Sequence, residues 1–221
     1  MAAHSLKDRS CWVFDLDNTL YDSRYNLFHQ IDLRMRAFVQ EFLRLGPDDA
    51  FRVQKQYFRE YGTTLRGLMA RHALDPAPYL AHVHDIDLSM IPPNPELDAL
   101  LAALPGRKVI FTNASANHAE RVVERLGIAR HFDGCLDIVG TNYVPKPERA
   151  TYDQLVAQFG LSPTSCVMVE DMARNLKPAK DLGMATVWVE TESDFAREGG
   201  EDPHVDYRTT DLTGWLADVL A

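Results

Sequence analysis

Cysteine is scarce in this sequence, which has three among 221 residues. Cys11, Cys135 and Cys166 lie far apart and are odd in number, so they predict neither a disulfide framework nor a Cys-x-x-Cys metal site. We interpret all three as reduced, buried thiols.

Basic residues and long apolar runs are also few. Lysine and arginine total 23 against 32 acidic residues, a formal net charge of -9, which argues against a nucleic acid polymer or an anionic membrane surface as partner. No run approaches the ~20 apolar residues that span a bilayer, and residues 1–10 lack the apolar centre of a signal peptide. We expect a cytoplasmic protein that holds a small anionic ligand with local groups, and the sequence leaves its oligomeric state open.

The composition is that of a globular protein, 46% hydrophobic and 25% charged, and the length suits one core domain with a modest insertion. Short apolar segments alternate with amphipathic stretches in the second half, which predicts an α/β fold with a Rossmann-like parallel sheet flanked by helices. A charged stretch near the C-terminus, 192–204, predicts an exposed loop. The predicted strands are 11–14, 108–111, 166–169 and 186–189, and the clearest helices are 116–126 and 151–159. A short C-terminal element covers 212–220.

The first half interrupts this alternation with helices alone. Between residues 26 and 45 the apolar side chains recur every three or four positions, which predicts one stripe of a long helix. Helical spacing continues at 48–61, 65–72 and 78–84, until the proline cluster at 92–95 closes the segment. We therefore predict an α/β core domain of residues 1–21 and 92–221 and an inserted helical domain of residues 22–91.

Polar residues follow three of the predicted strands, at the edge where open α/β sheets bind ligands. Asp15 and Asp17 follow the first strand, Thr112 to Ser115 lead from the second into a helix N-terminus, and Glu170 with Asp171 ends the third. Each has an ordinary interpretation: an acidic turn, helix capping, and a surface turn. Together they would bring carboxylates and anion-binding donors to one rim, which favours a functional site.

A lysine between two prolines adds a cation to this rim. Pro145 and Pro147 restrict the backbone around Lys146, so its ammonium can be aimed with little loss of entropy. We expect Pro147 to begin the following helix. A solvated surface lysine is the ordinary alternative.

These motifs, in this order, resemble those of a known family. Asp15-x-Asp17-x-Thr19, Thr112-Asn113, Lys146-Pro147 and Glu170-Asp171-x-x-x-Asn175 are similar to the four motifs of the haloacid dehalogenase superfamily, whose members are mostly magnesium-dependent phosphatases. The helical insertion between the first and second motifs resembles the helical cap of that family. The second motif has Thr where Ser is also common, and the fourth has Glu-Asp in place of Gly-Asp.

The resemblance implies a role for each motif. Asp15 would be the nucleophile that forms an aspartyl-phosphate, and Asp17 would move protons to the leaving oxygen and from water. Thr112, Asn113 and Lys146 would bind the phosphoryl oxygens. Within the family, keeping Asp17 favours a phosphatase or a phosphomutase over a dehalogenase.

The same resemblance implies a metal site. Clustered carboxylates repel one another without a cation, and an all-oxygen ligand set favours Mg²⁺. We assign Asp15, Asp17 through its backbone carbonyl, and Asp171 as ligands, with Glu170 as a weaker one.

The inserted segment indicates the substrate. Tyr57 to Leu68, with Tyr21 after the first motif, resembles the pyrimidine 5'-nucleotidase group of the superfamily, which implies hydrolysis of UMP or CMP with Tyr21, Thr64 and Arg66 as substrate-binding residues. A surface arginine is the alternative for Arg66. The histidines at 72, 82 and 84 show no zinc spacing and are interpreted as cap surface or cap core.

Other functions remain open from the sequence. The same mechanism would serve a phosphatase of another small phosphate ester, such as a sugar phosphate or pyridoxal phosphate, and phosphomutases share the four motifs. A non-catalytic binding protein could use this fold, but it would not need both a nucleophile and a proton partner.

Overall fold

A parallel sheet of six strands forms the centre of residues 6–221, the part of the chain that the computed structural model describes. The strand order is β3-β2-β1-β4-β5-β6, and every neighbouring pair is parallel. The strands are β1 (Cys11–Phe14), β2 (Arg107–Phe111), β3 (Gly134–Leu136), β4 (Cys166–Glu170), β5 (Ala185–Val189) and β6 (Tyr207–Thr209). The predicted α/β fold with a parallel sheet is confirmed.

The central strand determines where the site lies. All of β1 is buried, as expected for a parallel strand covered on both faces. Phe14 is in register with Ile110 on one side and Val169 on the other, and the Asp15 N–H continues the ladder to the Val169 carbonyl at 2.9 Å. Strand order reverses at β1, so Asp15 leaves the sheet at the switch point where such folds bind ligands.

Helices precede or follow most strands. Between β1 and β2 lie α1 (Leu27–Leu43), α2 (Pro47–Tyr61), α3 (Thr64–His72), α4 (Pro76–Val83) and α5 (Pro95–Ala103). The later helices are α6 (Ala116–Leu126), α7 (Arg149–Phe159), α8 (Ala173–Asp181), α9 (Asp194–Arg197) and α10 (Leu212–Leu220). No helix among residues 6–221 is long and apolar enough to cross a membrane.

The inserted helices α1 to α4, called the cap below, bury apolar side chains of their own. Val39, Leu68 and Tyr79 are buried in one cluster, joined by Ile138 from the loop after β3. Burying a side chain of this size stabilises by about 1.5–3 kcal/mol, so the cluster holds the four helices together. All four lie inside residues 22–91, and the division at those residues stays a prediction.

Several local expectations were wrong. Residues 192–204 are not simply an exposed loop, because they contain α9 and bury Ala196 and His204. Pro147 does not begin α7, which starts at Arg149, and Pro95, inside the proline cluster, is the first residue of α5. Cys135 is only half-buried, although all three cysteines are free. The three-residue strands β3 and β6 were too short to be predicted from apolar periodicity.

Candidate active site

Lys146 lies at the centre of a buried charge cluster at the carboxyl ends of the strands. Its ammonium donates to Asp15 Oδ1 at 2.7 Å, to Glu170 Oε2 at 2.7 Å and to the Phe111 carbonyl at 2.8 Å. The lysine side chain is 1% exposed. Burial alone would lower the pKa of Lys146, but the charges of Asp15 and Glu170 outweigh it and raise the pKa. The lysine is therefore a fixed cation and not a proton donor.

Asn113 determines where this lysine sits. Its Oδ1 accepts the Lys146 backbone N–H at 2.8 Å, and its Nδ2 donates to the Lys146 carbonyl at 3.3 Å. The amide thus holds the cis Lys146-Pro147 segment on both sides of one residue. The sequence predicted Asn113 as a phosphate-binding residue. Its side chain is instead hydrogen-bonded to residues 145–147, called the lysine loop below.

Three carboxylates converge beside this lysine. Oxygen atoms of Asp15, Glu170 and Asp171 all lie within 4.8 Å of one another, and all three residues are buried. Burial and the charge of Glu170 raise the pKa of Asp15 to about 7, with Lys146 acting in the opposite direction. Burial and the charges of Asp15 and Glu170 raise the pKa of Asp171 well above its usual value. A second cation would relieve this repulsion, and hard oxygen donors fit a divalent one.

The members of this triad are not equally available to a cation. Glu170 accepts from Lys146 through Oε2 and from Asn175 Nδ2 through Oε1 at 2.7 Å. Thr19 donates to Asp15 Oδ2 at 3.1 Å. Both oxygens of Asp15 and both oxygens of Glu170 thus accept hydrogen bonds, and the predicted place of Glu170 as the weaker ligand stays a prediction. The Asp17 side chain is not part of the triad, and a contribution from its backbone carbonyl stays a prediction.

Asp17 faces different neighbours. Its Oδ1 accepts from the Tyr21 hydroxyl at 2.6 Å and lies 2.9 Å from His118 Nε2. Burial pushes the pKa of Asp17 up, but the contacts with His118 and Tyr21 outweigh burial and lower the pKa. Tyr21 was predicted to bind substrate, and in the structure its hydroxyl is hydrogen-bonded to Asp17. His118 was not predicted, although its place in the first turn of α6, just after the second motif, could have pointed to it.

The loop after β2 is mostly saturated with internal hydrogen bonds. Thr112 Oγ1 accepts the Ala114 N–H at 3.0 Å, and Ser115 Oγ accepts the His118 N–H at 3.4 Å. Asp137 Oδ2 accepts the Ala116 N–H at 2.7 Å. Thr112 and Asn113 still line the cavity above the triad, so phosphate binding there stays a prediction for the Thr112 hydroxyl and the backbone.

A cavity of about 1200 Å³ separates these residues from the cap. Thr64 lines it, with a hydroxyl that donates to the Gln54 carbonyl at 3.1 Å. Arg66 does not line it, because its guanidinium pairs with Glu148 Oε1 at 3.0 Å beside the lysine loop. Substrate binding by Thr64 and Arg66 stays a prediction, and only Thr64 stands where a ligand in the cavity would reach it.

One cation in this cavity lacks an acidic partner. The lining includes Arg24, Lys55, Lys146 and Arg197, and each of these pairs with a carboxylate. Within the part of the chain that the structure describes, Arg174 forms no ion pair, and its buried Nε has no hydrogen-bond partner. Its guanidinium carbon lies 4.8 Å from the ring centroid of Phe58 on α2. Arg174 is therefore a cation free to bind a ligand.

The sequence of residues 10–183 matches the family of haloacid dehalogenase-like hydrolases. With the parallel sheet and the four motifs already described, the chain belongs to that family. The resemblance inferred from the motifs is confirmed at this level, and the resemblance to the pyrimidine 5'-nucleotidase group stays a prediction.

Two curated relatives extend over most of the chain. Phosphate metabolism protein 8 of Saccharomyces cerevisiae is 27% identical over 228 residues, covering 96% of this chain and 71% of the relative. A phosphoglycolate phosphatase of Chromobacterium violaceum is 27% identical over 201 residues, covering 84% of this chain and 86% of the relative.

Solved structures share the fold at lower identity. A haloacid dehalogenase-type phosphatase from Thermococcus onnurineus superposes with a TM-score of 0.62 at 17% identity, covering 96% of this chain and 98% of the other. A 2-haloacid dehalogenase from Pseudomonas syringae superposes with a TM-score of 0.58 at 19% identity, with the same coverage. Because both activities occur on this fold, the fold alone does not choose between them.

Proposed function

We propose that this protein is a magnesium-dependent phosphomonoesterase that hydrolyses nucleoside 5'-monophosphates, with UMP and CMP as the preferred substrates, through an aspartyl-phosphate. The observation that carries the proposal is the buried cluster in which Lys146 and two further carboxylates surround Asp15. The names of both curated relatives concern phosphate metabolism, and one is a phosphatase, which supports phosphate chemistry over dehalogenation.

The reaction has two displacements at phosphorus. An Asp15 oxygen bonds to phosphorus while the ester oxygen leaves, and Asp17 gives that oxygen a proton. Water then attacks the aspartyl-phosphate, Asp17 takes a proton from it, and the Asp15–phosphorus bond breaks to release phosphate. Lys146 is held 2.7 Å from Asp15 and would stabilise the negative charge on the transferring group.

A divalent cation fits the oxygen donors of Asp15 and Asp171, with the Asp17 carbonyl and Glu170 as further candidate ligands. When bound, it would neutralise charge on the phosphoryl oxygens and on the carboxylates. By the same charge it would lower the pKa of Asp15 from its raised value of about 7, so that the nucleophile is ionised at neutral pH.

Asp17, in contrast to Asp15, needs its pKa raised for the first displacement. Its contacts with His118 and Tyr21 lower the pKa in the absence of substrate, which would leave it without the proton that the first displacement requires. A phosphate ester brings negative charge close to Asp17, and negative charge raises the pKa of a carboxyl group. We therefore infer that Asp17 is protonated together with substrate binding.

The size of the cavity supports a substrate whose leaving group is larger than a small carboxylic acid. At about 1200 Å³ it exceeds the range of roughly 300–1,000 Å³ typical of small-molecule sites. Arg174 is the free cation of its lining and stacks on Phe58, so we propose that it contacts the nucleoside, through base or ribose oxygens, in place of Arg66. Thr64 is a second candidate contact.

The test is phosphate release from a panel of phosphate esters, with and without Mg²⁺. We expect the highest kcat/KM with UMP and CMP, no turnover after chelation, and loss of at least about 10⁴-fold in the Asp15→Asn variant. A higher kcat/KM with a sugar phosphate or pyridoxal phosphate would overturn the nucleotide assignment. Transfer to a second hydroxyl without free phosphate would indicate a mutase, and wild-type activity in Asp15→Asn would exclude the covalent mechanism.

A further inference from the structure

Among residues 6–221, side chains form hydrogen bonds with Asp17 through one of its oxygens only. Tyr21 and His118 both approach Oδ1, at 2.6 and 2.9 Å, while Asp17 itself lines the cavity. A carboxyl group that exchanges a proton with substrate needs one oxygen free and the other fixed, so that the free oxygen points at the reacting atom. This arrangement leaves Oδ2 for the proton.

His118 is built as a fixed donor to Asp17. Its side chain is fully buried, and its Nδ1 has no hydrogen-bond partner among the described residues. Nε2 faces an acceptor, Asp17 Oδ1, so the hydrogen-bond geometry assigns a proton to Nε2. The ring therefore donates to Asp17 and makes no other polar contact that would turn it away.

His84 supports the His118 ring from the end of the cap. The two rings are stacked with centroids 4.6 Å apart and planes 17° apart. His84 directly follows α4, and its Nδ1 lies 2.9 Å from the Ser115 hydroxyl, the N-cap of α6. Desolvation in this position lowers the pKa of His84 to about 3, so the supporting ring is neutral. The stack thus joins the last cap helix to the aspartate through two rings and one hydrogen bond.

We propose that His118 is a positioning residue for proton transfer: it fixes Oδ1 of Asp17 so that Oδ2 meets the leaving oxygen, and His84 braces it from the cap. The proposal rests on the proposed phosphatase function. It differs from a purely structural role in one measurable way, because a misplaced general acid slows the first displacement, and so lowers kcat/KM, only for those esters whose leaving group needs a proton.

The experiment compares two esters in the holoenzyme with Mg²⁺. One is the best alkyl phosphate of the wild-type panel, whose alkoxide leaving group requires a proton. The other is p-nitrophenyl phosphate, whose leaving group is stable as an anion. Two variants of the same chemical type are made, His118→Gln, whose amide nitrogen reaches the position of Nε2, and His118→Asn, whose amide is too short.

General acid catalysis contributes about 10²–10⁴-fold, so we expect His118→Asn to lower kcat for the alkyl ester by about 10- to 100-fold while KM changes less than about threefold. For p-nitrophenyl phosphate, kcat/KM of the same variant should stay within about threefold of wild type, since kcat/KM reports the first displacement and this leaving group needs no proton. The second displacement, in which Asp17 takes a proton from water, is common to both esters and enters kcat alone. His118→Gln should recover most of the alkyl-ester rate. Equal losses of kcat/KM on both esters, or equal kcat/KM of the two variants with the alkyl ester, would overturn the proposal.

A matched control is available elsewhere in the fold. His131 Nε2 lies 2.7 Å from Asp98 Oδ1, and this histidine–aspartate pair does not line the cavity. His131→Asn should leave the ratio of the two ester rates unchanged even if it lowers the melting temperature. A wild type that releases phosphate from neither ester would instead overturn the proposed function, and the positioning role with it.

Discussion

The sheet side of the cavity and its cap side balance charge in different ways. On the sheet side a single ammonium, that of Lys146, lies between buried carboxylates, and negative charge remains in excess. On the cap side Lys55 pairs with Asp32 where both side chains are about a quarter exposed. Arg174 belongs to α8 of the core and reaches Phe58 on the cap, and among the described residues it has no acidic partner. The buried cluster therefore lacks a cation, and Arg174, between α8 and the cap, offers one to a ligand.

The same contrast separates two aspartates that are two residues apart in the sequence. Burial and Glu170 raise the pKa of Asp15 to about 7, whereas Asp17, despite burial, has its pKa lowered by His118 and Tyr21. Identical side chains thus differ in protonation because of what touches them. In the proposed reaction Asp15 would need the metal, and Asp17 the phosphate ester, to reach the protonation state in which it acts.

The largest effect is expected from Lys146→Met. Removing one partner of a buried ion pair leaves the other charge uncompensated, which costs about 3–5 kcal/mol, so the free energy of unfolding in urea should fall by that amount. Lys55→Met is the matched control on the cap side, where an exposed pair contributes about 1 kcal/mol or less. Equal losses in the two variants would remove the contrast between the two sides.

Metal binding should have the next largest effect. A ligand present at 100 times its dissociation constant stabilises the folded state by about 2.7 kcal/mol, so Mg²⁺ should raise the melting temperature of the wild type. Asp171→Asn should abolish that response. Without metal the same variant should be more stable than wild type, because burial and neighbouring negative charges oppose ionisation and raise the pKa of Asp171. A metal-free variant that is less stable would contradict the excess of negative charge.

A smaller decrease in the free energy of unfolding is expected on acidification, and it comes from a buried histidine and not from carboxylates. The folded state lowers the pKa of His84 from 6.5 to about 3, mainly by desolvation. The unfolded chain therefore binds the proton first, and the stability contributed by neutral His84 is lost as pH falls below 6.5. Between pH 6.5 and 5 the loss from this site is roughly 2 kcal/mol.

His84→Asn should remove that part of the acid dependence. Asp15 acts with the other sign: its raised pKa makes its contribution to stability decrease as pH rises toward about 7. The measurement is therefore the difference between the wild-type and His84→Asn curves of unfolding free energy against pH. Parallel curves would mean that the histidine does not remain neutral in the fold.

The smallest effect distinguishes two arginines. Arg174→Met should raise KM for UMP by roughly tenfold, because a hydrogen bond to a charged group contributes about 1.5–3 kcal/mol. Arg66→Met should change KM by less than about threefold, since its partner Glu148 is 54% exposed and such pairs are weak. The reverse ranking would restore Arg66 as the substrate-binding residue.

Strand-end chemistry was predictable because it depends on local rules. Asp15 and Glu170 directly follow or end apolar strands, and parallel strands bring those ends to one edge whatever lies between them. Lys146 was predictable because prolines on both sides limit its backbone. These three residues are those that the structure brings together in one buried cluster.

The other contacts around the cavity were less predictable because they join distant parts of the chain. His118 and Asp17 are separated by 101 positions, and no periodicity indicates that pairing. Arg174 is free only because each other cation lining the cavity has found a carboxylate, which is a property of the whole arrangement. The three-residue strand β6 carries too few residues to show a pattern.

The lysine loop also connects the two sides. Arg66 on α3 pairs with Glu148, two residues after Lys146, and Gly62 at the end of α2 packs so closely on Pro145 that a Cβ there would lie 3.0 Å from its ring. Any movement of the cap away from the sheet must break this ion pair. Because the pair is partly exposed, dissolved electrolyte screens it. Higher ionic strength would therefore ease the separation of the cap from the sheet, and with it the escape of products.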